Sequence, residues 1–425
     1  MLTRRERRRL GPQANPRLPL PARIRQWVTS WNGIISLSVA LVVVVVAVGA
    51  LRPTLPFGIG QTPPTPDPWG NVSIAKGASP KIVYIGNTAN GAPIDAAGAQ
   101  QAIQYAIDES IDIKGFKPSV GSVGDNCDPN AIPTELQGIT SDPTVVGVVA
   151  STCTSSTLAL ALGLAESHIP FISLNETSPG LTAANAGHIA RLTGNQTQQA
   201  QAAATFARTD LLATKAIILF EDNPDATAVA DAFRAQFRTQ GGSIIDSRNL
   251  PADGQWDAIV KEAQDFRPDV LYVSSNGKLA GDFLKRLRAA GVSATYMVTQ
   301  TAYNDPEYLL AGTALEGTYA TTIQVNRAEK YAGWKEAFEK QYLAVGPLSA
   351  EAYDASGMII QALGIGAKPN DSGALEVGKQ TLNGLVRGVR YDGVTGPTTL
   401  NSAGDRTSVL VPVMKYEEGV FKQVK

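Results

Sequence analysis

The sequence predicts an α/β protein of two doubly wound lobes, preceded by one N-terminal transmembrane helix. Three observations carry that prediction. Strand-like and helix-like segments alternate from Lys81 onward, the alternation starts afresh after Asn195, and a charge-free apolar run precedes both series. Strands alternating with helices build parallel sheet in βαβ units. At 425 residues the chain exceeds a single small core, which suits two such units.

In the first series, KIVYIG (Lys81–Gly86) is a short β-branched run, and Ala99, Ala102, Ile103, Ala106 and Ile107 then fall on one helical stripe. TVVGVVA (Thr144–Ala150) reads as a strand, STLALALGLAES as a helix, and PFISL (Pro170–Leu174) as a buried strand. The second series opens with the strand KAIILF (Lys215–Phe220). Its helix puts Val229, Ala230, Phe233 and Phe237 on one face and stops at Gly241-Gly242. DVLYVSS (Asp269–Ser275), the helix KLAGDFLKRLRAAG and ATYMVT (Ala294–Thr299) form a further α/β unit, and two later helices and an extended segment finish the chain. Such lobes present the C-terminal ends of their strands to a shared cleft, where open α/β sheets bind ligands.

The N-terminus sets the compartment. LTRRERRRL carries five arginines between Arg4 and Arg9, and no charge appears between Arg25 and Arg52. Ile34–Leu51 is long enough to span a hydrocarbon layer of about 30 Å. Arginines before the span predict a cytoplasmic N-terminus and an extracytoplasmic body. The alternative is a signal peptide cleaved near AVGA (Ala47–Ala50), which would release the body. The reading is therefore a basic cytoplasmic arm (1–30), an anchor (31–51) and a Pro/Gly-rich tether (52–79).

Outside the cytoplasm, the only two cysteines, Cys127 and Cys153, are expected to pair; two free buried thiols are the alternative. Cys153 stands between a strand and a helix, among Ser151, Thr152, Thr154, Ser155 and Ser156. Hydroxyls and free amides at a helix N-terminus attract a carboxylate or phosphate; equally, the hydroxyls can serve only to cap the helix.

Here the sequence resembles the leucine/isoleucine/valine-binding proteins, which are solute receptors of ABC importers with the type I periplasmic-binding fold. The resemblance rests on CDPNAIPTELQGI, on VVGVVASTCTSSTLALALGLAESHIPFISLNETSPGLT, and on FRTQGGSII, DFRPDVLYVSS, LKRLRAAG and YDGVTGPTTLNSAGDRT, and it covers roughly Lys81 to Lys425. It implies a lobe-one disulfide between Cys127 and Cys153. It implies that Thr154, with neighbouring amides, takes a ligand carboxylate, and that Asn175, Glu176 and Thr177 receive an α-ammonium through backbone carbonyl and hydroxyl. It further implies lobe one at 80–194 with 318–406 and lobe two at 195–317 with 407–425, joined by three crossovers.

Two departures bear on the ammonium end. The position at which the family often has an acid appears as Gln300, and Asp225 stands near a usual tyrosine. Glu221, Asp222 or Asp225 could restore the negative charge, or form only a solvated loop. The expected ligand is an amino acid or related small carboxylate, and the expected partner an ABC permease, with a monomeric outer body. A tethered sensor signalling through a separate chain is the alternative. A net charge of -1 argues against a nucleic-acid partner. Two histidines, two cysteines and no nucleophile–base spacing leave no expectation of a metal, a cofactor or catalysis.

Overall fold

The computed structural model describes residues 66–87, 96–184 and 186–425, and Pro66–Lys425 form one compact unit. The expected arm (1–30) and transmembrane segment (31–51) lie outside the described residues. Among the described residues no helix is long and apolar enough to cross a membrane.

The described chain opens with β1 (Asn71–Ile74). A first body follows, built from β2 (Lys81–Asn87), α1 (Ala96–Glu109), β3 (Ser119–Asp125), α2 (Ile132–Thr140) and β4 (Val145–Ser151). It continues through α3 (Thr154–Gly163), β5 (Phe171–Ser173), the short α4 (Gly180–Ala183) and β6 (Ile189–Arg191). Its sheet is parallel throughout, in the order β3-β2-β4-β5-β6. Alternate residues divide between the faces: Ile82 and Tyr84 join the core on one side, Val83 and Ile85 on the other. Because helices cover both faces, β4 is buried along its whole length, which is why it reads as an unbroken apolar run.

The second body repeats the plan with α5 (Gln196–Thr209), β7 (Lys215–Phe220), α6 (Pro224–Thr239), β8 (Ser243–Asn249), α7 (Asp257–Phe266) and β9 (Val270–Ser274). After these come α8 (Gly277–Ala289), β10 (Thr295–Val298), α9 (Gln300–Tyr303), a 3-10 segment (Pro306–Leu315) and β11 (Tyr319–Thr321). The chain then returns to the first body as α10 (Tyr331–Tyr342), α11 (Ser349–Gly366), β12 (Lys368–Pro369), β13 (Leu375–Gly378), α12 (Lys379–Gly388) and the hairpin β14 (Tyr391–Gly393) and β15 (Gly396–Thr398). Trp334, Phe338, Ile359 and Leu363 of this return share a core with Ile82 and Tyr84. Finally β16 (Val413–Glu417) and β17 (Val420–Gln423) extend the second sheet, whose order is β17-β16-β11-β10-β9-β7-β8. From β8 to β11 it is parallel; β16 and β17 add antiparallel edges.

In each sheet the second strand lies outside the first and the third lies on the first strand's other flank. The strand order therefore reverses direction between β2 and β4, and again between β7 and β9. Ligands of open α/β sheets bind beyond the strand ends at such switch points. Three segments connect the bodies, at 192–195, 322–326 and 406–412. They pack together: Gln324 bridges Leu410, and a Cβ added at Gly194 would overlap Val409 and Ile323. Only glycine lets the three chains approach so closely.

Two boundaries differ from the sequence reading. Residues 66–79, expected as the end of the tether, belong to the folded body: β1 pairs antiparallel with β13 and buries Val72 and Ile74. Asp67 accepts the Gln380 and Thr381 amides at the start of α12, and Trp69 stacks on His168 at 4.4 Å. The second difference is at residue 318. Tyr319–Thr321 still pairs with β10 and β16, so the return to the first body begins a few residues later.

Candidate functional site

The rim of the first body is built around α3. Cys127 and Cys153 form a disulfide with a Cα–Cα distance of 5.3 Å. Cys153 is also the N-cap of α3, in extended conformation, and offers no side-chain cap. Elsewhere Asn195, Asn223 and Asn276 cap α5, α6 and α8 through their side chains. The amides of Thr154, Ser155 and Ser156 in the first turn of α3 thus have no acceptor among the described residues, and the side chains of Thr154 and Ser155 are exposed.

The structure separates these hydroxyls from those of Ser151 and Thr152. Both were expected at the ligand, but they are buried and point inward. Tyr84 Oη lies 2.5 Å from Ser151 Oγ, and the Thr152 hydroxyl donates to Asp125. Asp125, fully buried, also accepts from Ser156 Oγ at 3.2 Å. A buried carboxylate requires donors, and these hydroxyls supply them. These contacts tie the loop that carries Thr154 to β2 and β3.

The segment Asn175-Glu176-Thr177 follows β5 and is held from behind. Arg191, at the end of β6 and fully buried, donates to the carbonyls of Glu176 and Ser178 at 2.9 Å and to Thr182 Oγ1, while its Nε lies 2.7 Å from Asp405. Burial pushes the guanidinium pKa down, against the opposing attraction of Asp405, Glu176 and Asp225. Glu176 is itself buried, and its carboxylate accepts the Ser178 amide at 2.6 Å. The Asn175 amide nitrogen donates to the Thr152 carbonyl at 3.3 Å, which ties this segment to the disulfide loop, while its buried Oδ1 has no hydrogen-bond partner among the described residues. The Thr177 carbonyl is occupied by the Gln196 amide at 3.0 Å, which leaves its hydroxyl for other work.

Across from this rim, a cavity of about 590 Å³ has walls from both bodies. Leu158 and Gly180 line it from the first body; Glu221, Asp225, Ser274, Ser275 and Thr301 line it from the second. Glu221 follows β7 and Ser274 ends β9, so the cavity sits at the second sheet's switch point. Glu221 accepts the Asn276 amide at 3.0 Å. Asp225, in the first turn of α6, faces across the cleft: a Cβ added at Gly180 would stand 3.4 Å from its Oδ1. Asp222 is exposed and does not line the cavity. Gln300 lies beside it, but its Oε1 accepts the Ile323 amide at 2.7 Å, so its acceptor is committed to a connecting segment rather than offered to a cation.

Asp125 and Arg191 escaped the sequence reading. The available signals were an acid two residues before the first cysteine and a lone arginine in the apolar stretch HIARL. Ser274 and Ser275 were read only as the end of a strand. His188 is buried, with Nε2 at 2.9 Å from the Ala161 carbonyl, a packing role. Among the described residues no group of three His, Cys, Asp or Glu side chains could hold a metal ion.

Comparison with known proteins gives a consistent result. A family profile described as periplasmic binding protein matches residues 83–419. The chain is 23% identical over 331 residues to the Leu/Ile/Val-binding protein homolog 3 of Brucella melitensis, covering 76% of this chain and 86% of that one. Among solved structures, an ABC transporter substrate-binding protein of Desulfitobacterium hafniense in complex with Leu superposes with a TM-score of 0.61 at 21% identity, over 81% of this chain and all (100%) of that one. A solute-binding protein of an R. palustris ABC transporter in complex with benzoate superposes with a TM-score of 0.54 at 16% identity, over 82% of this chain and 96% of that one.

Proposed function

The chain belongs to the periplasmic binding protein family of the leucine/isoleucine/valine-binding type, and from that premise we propose that it is the extracytoplasmic receptor for an amino acid or related small carboxylate. Members of this family are binding receptors, not enzymes. The ligand enters between the bodies, which close on it by a hinge motion at the three packed connecting segments. The closed form is then read by an ABC-type importer.

The observation that carries this reading is the first turn of α3. A helix start whose N-cap side chain is consumed in a disulfide leaves amides directed outward, and exposed Thr154 and Ser155 add hydroxyls to them. That is a site for an anion of carboxylate size. The disulfide and the Asp125 contacts fix the turn in advance, so binding costs less ordering. The Asn175 carbonyl and the Thr177 hydroxyl offer neutral acceptors to an α-ammonium, and Glu221 and Asp225 line the opposite wall of the cavity. The apolar segment Ile34–Leu51, after its arginines, supports retention at the membrane with the body outside.

Titration calorimetry of the purified chain against amino acids and small carboxylates tests the receptor reading. At least one is expected to bind, and Thr154→Ala is expected to weaken it about tenfold, the loss of one hydrogen bond to a charged group. Because Thr154 is exposed, the same substitution leaves stability within about 0.5 kcal/mol of the parent. An unchanged affinity in Thr154→Ala would remove α3 from the site.

A further inference from the structure

The wall that the second body contributes to the cavity does not suit an aliphatic side chain. It carries the carboxylates of Glu221 and Asp225 and the hydroxyls of Ser274 and Ser275, and among the described residues no lysine, arginine or histidine lines the cavity. Among the described residues its aliphatic lining comes from Leu158, Pro224 and Ala226. A leucine or valine side chain placed here would strip water from carboxylates and return no hydrogen bond, a poor exchange in a closing cleft. Glu221 already accepts from Asn276. Asp225 makes no hydrogen bond or ion pair among the described residues, although its Oδ1 projects toward Gly180 on the other side of the cleft.

Spacing along α3 adds a second constraint. Thr154 and Leu158 are four residues apart, so they share a helix face and lie about 6 Å apart along the axis. Thr154 heads the anion-binding turn, and Leu158 lines the acidic cavity. A carboxylate held at the first turn therefore has the acidic wall one helical turn away. An α-ammonium, only two bonds from its carboxylate, is too near to its own carboxylate to serve that wall. It falls instead to Asn175 and Thr177. The wall calls for a positive group several bonds further out.

We propose that the ligand is a basic amino acid: its carboxylate rests on the first turn of α3, its α-ammonium on the Asn175–Thr177 segment, and its side-chain ammonium or guanidinium between Asp225 and Glu221. The charges agree, since a ligand of net +1 meets a wall with two carboxylates and, among the described residues, no cationic side chain in its lining. This rests on the receptor reading above and narrows it to one ligand class.

The test compares L-lysine, L-ornithine and L-arginine with L-norleucine, which matches the lysine chain without its charge, and with L-leucine and benzoate. Calorimetry and thermal shift are run on the purified full-length chain. At least one basic amino acid is expected to bind at least about tenfold more tightly than norleucine. Asp225→Asn is expected to weaken that binding about tenfold while leaving norleucine binding unchanged, and Glu221→Gln to act in the same direction. Circular-dichroism melts of both variants confirm that each is folded. Tighter binding of leucine, norleucine or benzoate than of any basic amino acid overturns the proposal and leaves the receptor reading standing. Basic amino acids that bind equally well to the parent and to both variants overturn the assignment of the wall. If no carboxylate of any kind binds, the receptor reading fails as well.

Discussion

The two bodies share a strand order and differ in what they bury. Every buried charged side chain among the described residues, namely Asp125, Glu176, Arg191, Glu351, Asp354, Asp405 and Arg406, belongs to the first body or to the segments connecting it to the second. Both bodies bury aromatic rings, Tyr84, Phe171 and Phe338 in the first and Phe233, Tyr272, Phe283, Tyr296 and Tyr308 in the second, but among the described residues the second buries no charged side chain and keeps Glu221 and Asp225 at the cavity. Buried charges demand complete sets of partners, so they hold their surroundings in one arrangement. The first rim is thus organised before a ligand arrives. The second, standing on an apolar core, carries at the cavity two acids that form no ion pair among the described residues.

The largest expected effect tests that contrast at Arg191. Arg191→Met leaves Asp405 with no cationic partner, the Thr182 hydroxyl still donating to it, and strips the carbonyls of Glu176 and Ser178 of the guanidinium in a dry interior. Removing one partner of a buried pair costs about 3–5 kcal/mol. Urea denaturation is expected to show a loss of this size, together with loss of ligand binding through the displaced Asn175–Thr177 segment. A loss below about 1 kcal/mol would mean that the first body is not organised by its charges. Next in size is the disulfide. Replacing Cys127 and Cys153 with serine is expected to lower stability by about 2–4 kcal/mol, read in the same denaturation experiment. Affinity falls too, because the α3 turn then has to be ordered by the ligand.

A third test uses pH. Asp354, on α11, accepts the Val394 and Thr395 amides at 2.8 Å and the Thr395 hydroxyl. Burial still pushes its carboxyl up from 3.8 to about 6, against the pull of Thr395, Val394 and Arg406. The native state therefore holds a proton that the unfolded chain releases. The associated stability is complete below the unfolded pKa and is lost as pH rises through the folded one, on the order of 1–3 kcal/mol between pH 4 and 6. Asp142 acts oppositely and in another window. The bonded Lys81 ammonium beside it holds its carboxyl near 2, so its contribution is present above 3.8 and lost as pH falls from there toward 2. Glu135 moves in the same direction as Asp354, through burial and then Asp125, so the comparison has to be made between parent and variant. Asp354→Asn is expected to flatten the decline between pH 4 and 6. An identical decline in both proteins would place the proton elsewhere.

The contrast between the bodies also explains what the sequence made legible. Central strands β2, β4, β7 and β9 announced themselves as apolar runs because helices cover them on both faces. Edge strands β3 and β8 did not: SVGSVGD and SIIDSRN are largely half-exposed and polar, so no run marks them. The disulfide was expected and is formed. Ser151 and Thr152 were grouped with Thr154 because all three lie in one hydroxyl-rich stretch. The distinction among them is made by Asp125 and Tyr84, which precede that stretch and come near it only in the folded sheet. Arg191 was illegible for the same reason. Asp405, its charge partner, lies in the last part of the chain, and no local pattern links the two.

The smallest expected effect probes the apolar body on its own terms. Tyr272, in β9, is fully buried and stacks on Phe233 with ring centroids 4.0 Å apart. Its hydroxyl has no hydrogen-bond partner among the described residues. Folding therefore strips water from that group without replacing it, at a cost of about 1–3 kcal/mol. Tyr272→Phe keeps the ring and its stacking and removes only the hydroxyl, leaving a void smaller than a methyl group. The variant is expected to be more stable by about 1 kcal/mol, seen as a higher urea midpoint with an unchanged slope. The two substitutions differ in sign: removing the paired Arg191 charge from the first body destabilises, and removing the unpartnered Tyr272 hydroxyl from the second stabilises. A Tyr272→Phe variant less stable than the parent would show that this hydroxyl is satisfied in solution.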